Sequence, residues 1–181
     1  MKLKLLFLML ALQTAWILGT TFVQERALAG GKVVLLETWP VDPRDLMRGD
    51  YVTLNYKISD VALGLFSPVL TNGLAPGETV YVALEPRGQF HEVVLASTNQ
   101  ITPADGQVVL KGQSRSWWNS AAQRSVHLEY GLERYYVREG TGNPRGKLTV
   151  QAAVPDSGQA RIKEVFVDGK PYAEAMKGAA K

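Results

Sequence analysis

The sequence predicts a mainly β domain, an antiparallel sandwich or partly open barrel of about eight strands, preceded by one N-terminal transmembrane helix. Three observations carry this. Leu5 to Val23 is a 19-residue run without a charge. After residue 30 the apolar pattern has period two rather than 3.6. Turn signals rich in Gly, Pro, Asn and Asp then punctuate the chain at short intervals, the spacing found in sandwiches and barrels.

The N-terminal run comes first. At about 1.5 Å per residue it reaches just under about 30 Å, the thickness of bilayer hydrocarbon. Trp16 and Phe22 lie in its outer half, where interfacial aromatics are favoured. Lys2 and Lys4 precede it and belong on the cytoplasmic side by the positive-inside rule. The expectation is an anchor over residues 1–24, spanning the membrane through residues 5–23. An exported β-domain follows over 25–172, in the periplasm of a Gram-negative cell, and then a flexible tail over 173–181. The competing reading is a signal peptide cleaved after Ala29, since Ala27-Leu28-Ala29 is an A-x-A site followed by Gly30-Gly31. Both readings export the domain.

The strands follow in order. Lys32–Trp39 is the first. From Tyr51, the residues Val52, Leu54, Tyr56 and Ile58 share one face, and Tyr51, Thr53, Asn55 and Lys57 the other. Val80, Val82 and Leu84 alternate with Tyr81, Ala83 and Glu85. Phe90–Ser97 and Gln107–Gln113 are further strands. Val126, Leu128, Tyr130, Leu132 and Tyr136 form an apolar face opposite His127, Glu129, Glu133 and Tyr135. Leu148, Val150, Ala152 and Val154 repeat the pattern, and Ile162–Val167 ends at the turn Asp168-Gly169. Helical turns are expected at Asp60–Leu65, with Asp60 as N-cap, and near Trp117–Ala122.

Composition excludes several function classes. Setting aside Lys2 and Lys4 leaves 18 basic against 17 acidic residues, with no basic run, which argues against a nucleic-acid partner. Cysteine is absent, so disulfides, cysteine zinc sites and thiol nucleophiles are excluded. His91 and His127 are the only histidines, in neither H-x-H nor H-E-x-x-H spacing, and no metal or other cofactor is expected.

The most densely specified stretch is Pro40 to Tyr56. Asp42, Arg44, Asp45 and Arg48 crowd a turn that Pro43 pre-sets. Gly49 and Asp50 then launch the strand carrying Tyr51, Leu54 and Tyr56. Two arginines among the aspartates Asp42, Asp45 and Asp50 neutralise most of the charge, so a salt-bridged turn is favoured over a cation cage. Leu54 and Tyr56 should face the core, with the Tyr56 hydroxyl finding a polar partner. Tyr51 should face outward or into a groove.

Gly49-Asp50-Tyr51-x-x-Leu54-x-Tyr56 resembles the motif that names the GDYXXLXY family of uncharacterised bacterial membrane-anchored proteins. Pro40-Val41-Asp42-Pro43-Arg44-Asp45-Leu46 looks like that family's lead-in. Glu133-Arg134-Tyr135-Tyr136-Val137-Arg138-Glu139-Gly140 resembles its second block. The resemblance implies a membrane-associated protein, often encoded beside polytopic membrane proteins. It implies no established activity and no catalytic residue.

In the second block Glu133, Tyr135 and Glu139 share one parity, and Arg134 interrupts the apolar face between Leu132 and Tyr136. Either Arg134 is buried and pairs with Asp42, Asp45 or Asp50, or the strand bends near Gly131 and Arg134 is exposed. Trp117-Trp118 cannot both face one side of a strand, so one of them offers an exposed interaction surface, as Tyr51 does. The leading expectation is a non-enzymatic accessory protein for an integral membrane partner, anchored in the cell inner membrane as a single-pass protein with its C-terminal domain outside. The alternative is a ligand- or glycan-binding module using the Asp42–Tyr51 turn with Trp117 or Trp118. A signal-peptidase-like serine hydrolase is disfavoured: residues 23–49 hold no serine, and no Gly-x-Ser-x-Gly elbow occurs.

Overall fold

A computed structural model of the protein describes residues 2–39, 51–70, 74–115, 124–137, 144 and 146–178. Helix α1, Lys2–Gly30, contains a segment, Lys4–Val23, of mean hydropathy 1.8, apolar and long enough to cross a membrane. None of that segment is buried against the rest of the protein. The helix continues over Ala27-Leu28-Ala29, past the anchor boundary expected at residue 24. A single residue, Gly31, separates α1 from strand β1, Lys32–Glu37.

The remainder is mainly β and antiparallel. Eleven strands lie among the described residues. They are β1, then β2 (Tyr51–Thr53), β3 (Asp60–Ala62), β4 (Thr79–Arg87), β5 (Phe90–Ser97) and β6 (Val108–Ser114). After them come β7 (Ser125–Glu129), β8 (Arg134–Tyr136), β9 (Leu148–Val154), β10 (Arg161–Val167) and β11 (Lys170–Pro171). They form a four-stranded sheet in the order β1-β9-β10-β11, a five-stranded sheet in the order β3-β7-β6-β4-β5, and the pair β2-β8. The arrangement is sandwich-like, and the described strands close no barrel.

The eight expected strands account for most of this. One of them, Val126–Tyr136, is broken in two, β3 forms where a helical turn is expected, and β11 is added by a hairpin through Asp168-Gly169, whose positive φ values of 49° and 80° suit a tight two-residue turn. One apolar cluster joins the sheets, with Val34 and Leu36 of β1, Val82 of β4, Leu110 of β6, Leu128 of β7, Val150 of β9 and Val165 of β10 all almost fully buried. Between the sheets, the Leu35 N–H donates to His91 Nδ1 at 3.2 Å, and the Lys111 N–H donates to the Gly158 carbonyl at 2.8 Å.

Two local expectations need correcting. Asp60 is no helix N-cap: Asp60–Ala62 is strand β3, and the helical turn is confined to a 3-10 turn at Leu63–Leu65. The reason is visible across the β3–β7 pair, where the Asp60 carboxylate meets His127 Nδ1 at 2.8 Å and is not spent on a cap. Residues 172–178 are also structured where a flexible tail is expected. Helix α2, Tyr172–Ala175, and a 3-10 turn, Met176–Gly178, bury Tyr172 and Met176 in the core cluster.

Candidate functional site

The motif strand meets the end of β1 farthest from α1. Thr38 bridges Tyr56, and the Trp39 N–H donates to the Asn55 carbonyl at 2.8 Å. The parity argument holds along this strand. Val52, Leu54, Tyr56 and Ile58 are buried, whereas Asn55 and Lys57 are exposed and Tyr51 and Thr53 half-exposed. The Tyr56 hydroxyl donates to the Leu132 carbonyl at 2.8 Å, and burial pushes it well above the usual tyrosine range. The Leu54 N–H donates to the Glu133 carbonyl at 2.8 Å. The motif strand and the second block are thus joined through backbone and hydroxyl, and β2 pairs with β8 in the register Tyr51↔Tyr136, Val52↔Tyr135, Thr53↔Arg134.

The second block corrects the expected parity. Tyr136 does not face the core: it is 70% exposed. Tyr135 turns inward and meets Tyr172 edge-on, with ring centroids 5.3 Å apart. The flip originates in the turn after β7. Gly131 takes a φ of 77°, and the Glu133 carboxylate accepts the Tyr130 N–H at 2.6 Å, which resets the alternation between Leu132 and Arg134. Of the two readings of Arg134, the exposed one holds. Its guanidinium lies 5.3 Å from the centre of the Tyr51 ring, and the Tyr51 and Tyr136 rings are 5.9 Å apart. A cation–aromatic stack of this kind leaves guanidinium N–H groups facing water. Pro40, Asp42, Pro43, Arg44, Asp45, Arg48, Gly49, Asp50, Trp117, Trp118, Glu139 and Gly140 lie outside the described residues.

A second cluster at the same end of β1 has no counterpart in the sequence reading. Glu37 pairs with both Lys57, at 2.7 Å, and Lys147, whose hydrogen bonds hold its carboxyl below the usual range, Lys147 contributing most. Lys57 sits 5.1 Å from the Trp39 ring centre, and Lys147 is equally far from that of Phe90. Lys147 is placed by its backbone N–H, which donates to the Asp168 carboxylate at 2.8 Å. A side chain at Gly146 would overlap that carboxylate. The partners of Glu37 come from distant segments, so no local pattern could have revealed them.

Other candidate chemistry is dispersed. His91 accepts from Leu35, while His127 pairs with Asp60, so the two histidines are not brought together. Among the described residues no group of three or more acidic or histidine side chains could hold a metal ion. Ser59 and Ser97 are buried, and Ser97 Oγ accepts the Asn99 N–H at 3.1 Å. The arrangement at β2–β8 can offer aromatic faces and a guanidinium to another molecule.

Among curated proteins and solved structures nothing matches this chain. The family model described as GDYXXLXY protein matches residues 13–165, most of the chain and both blocks. With Tyr51, Leu54 and Tyr56 joined to Arg134, Tyr135 and Tyr136 in one pair of strands, the chain belongs to the GDYXXLXY family.

Proposed function

We propose that the protein is a non-enzymatic, membrane-tethered accessory protein. In this reading α1 is a single inner-membrane span, the β-domain lies on the periplasmic side, and the domain engages the extracytoplasmic part of an integral membrane protein. The observation that supports this best is the outward face of β2–β8, where Tyr51, Tyr136 and Arg134 form one exposed aromatic and cationic patch. Tyr and Arg are the side chains most enriched where protein interfaces concentrate their binding energy. Position favours the same reading. β1, six residues at about 3.3 Å each, is roughly 20 Å long, and the motif strand meets it at the end away from α1 through the Thr38–Tyr56 bridge. The partner is therefore one with a loop or domain projecting from the bilayer, rather than one that meets this chain only through transmembrane helices.

A photoreactive amino acid at Tyr136, introduced into the full chain in intact membranes, tests this. The proposal expects a crosslink to one polytopic membrane protein. It expects none from a control position on the exposed polar face of the five-stranded sheet, such as Lys111. Equal crosslinking from both positions, or recovery of uncrosslinked chain alone, would overturn it. A cysteine at Arg161, modified by an impermeant reagent only from outside the inner membrane, checks the orientation.

A further inference from the structure

The end of the domain next to α1 holds a cavity of about 280 Å³, lined by Lys32, Tyr81, Ile101, Gln107, Val154 and Asp156 among others. Its place follows from the chain. Lys32 is the first residue of β1 and pairs in register with Val154, the last of β9. The turn at 155–158 and the segment before β6 complete the wall. Val108 and Val154 are buried in it, whereas Lys32, Gln100 and Asp156 are exposed.

The cavity carries both signs of charge. The Lys32 ammonium donates to the Gln107 carbonyl at 3.3 Å, which ties it to the segment before β6 and leaves it two further donors. The Asp156 carboxylate has no ion pair or hydrogen bond among the described residues. Two other exposed carboxylates differ: Asp60 meets His127, and Glu92 meets Arg87. A cation and an unpaired carboxylate beside an apolar wall suit a zwitterion, and Asp156 works against a simple anion.

Position narrows the ligand further. Residues 24–30 carry the helix about 10 Å beyond the apolar segment, and the headgroup layer of a leaflet is itself roughly 5–8 Å thick. Arg26 lies over the Phe22 ring at 5.6 Å, a cation and an aromatic suited to that layer. With α1 spanning the inner membrane, phospholipid headgroups are the molecules nearest this end of the domain.

We infer that the cavity binds the phosphoethanolamine headgroup of a phospholipid in the outer leaflet of that membrane. Phosphate oxygens accept from the Lys32 ammonium, the ligand's ammonium donates to Asp156, and the glycerol end lies against Tyr81 and Ile101. A choline headgroup has no N–H to give Asp156, and a phosphoglycerol headgroup brings only negative charge. The inference rests on the membrane-spanning reading of α1. It is independent of the Tyr51–Tyr136 patch, whose strand meets the other end of β1.

The test offers the full chain, in mild detergent, an equimolar mixture of phosphatidylethanolamine, phosphatidylcholine and phosphatidylglycerol with identical acyl chains. Native mass spectrometry counts the lipid retained. A single phosphatidylethanolamine is expected, favoured about two- to fivefold over each of the others. Lys32→Gln and Asp156→Asn should each remove that preference with unchanged unfolding midpoints. Asp105→Asn alters an exposed carboxylate of the neighbouring segment that does not line the cavity, and should keep the preference. Equal retention of the three lipids would overturn the inference, as would Asp105→Asn acting like Asp156→Asn. So would displacement of the lipid by soluble glycerophosphoethanolamine at equal concentration, which would place the ligand outside the bilayer. An alkaline carbonate wash of membranes separates the two readings. Release of the chain removes the spanning reading and the inference with it, whereas a retained chain without lipid preference removes the inference alone.

Discussion

The two faces of the strand carrying Tyr51, Leu54 and Tyr56 behave as different kinds of structure. The inner face is closed: Leu54 and Tyr56 are at most 1% exposed, and the Tyr56 hydroxyl is bonded to the Leu132 carbonyl. The outer face, with Tyr51 beside Arg134 and Tyr136, is open and held by ring stacking alone among the described contacts. One short motif therefore fixes the position of a strand and also displays a side chain from it. The inner positions are determined by packing. The outer ones contribute little to the fold, which leaves their chemistry free to serve recognition.

Substitutions should separate the two faces by size of effect. Leu54→Ala empties a fully buried site and should cost about 2–5 kcal/mol in denaturant unfolding. Tyr56→Phe keeps the ring but strands the Leu132 carbonyl in the core, for a loss of about 1–3 kcal/mol in the same assay. A smaller effect belongs to the junction of the two large sheets. Burial lowers the pKa of His91 below the usual 6.5, and protonation of Nδ1 would remove the acceptor for the Leu35 N–H. The folded state then binds fewer protons than the unfolded chain. The stabilisation is complete above about pH 6.5 and is lost as pH falls through the lowered folded value. Unfolding midpoints measured downward from pH 7.5 should show a loss of stability that His91→Phe removes. Glu37 follows the same sign in a more acidic window. Tyr51→Ala and Tyr136→Ala should each cost less than about 1 kcal/mol, since they remove stacking at an exposed edge.

Much of this contrast was legible before folding was considered. Period-two alternation assigned Val52, Leu54, Tyr56 and Ile58 to the core because strand geometry leaves no alternative once one face is buried. It failed at Tyr135 and Tyr136 because alternation counts residues and cannot register a glycine at positive φ that resets the phase. Asp60 misled for a related reason. An aspartate before an apolar run reads as a cap, but here its partner, His127, lies across a sheet. The Glu37 cluster and the cavity at Lys32 were illegible because both are assembled from segments far apart in the chain. The family relationship itself rested on short motifs, and those were readable residue by residue.

The division of the motif into a structural face and a recognition face is tested most directly by one paired measurement on membranes solubilised in mild detergent. The Tyr51→Ala/Tyr136→Ala double variant is purified beside the wild type, and both the unfolding midpoint and the co-purified membrane protein are quantified. The account predicts that the double variant unfolds within about 1.5 kcal/mol of the wild type while losing the partner that the wild type retains. A folded double variant that keeps its partner at the wild-type level would contradict it, as would a wild type that carries none.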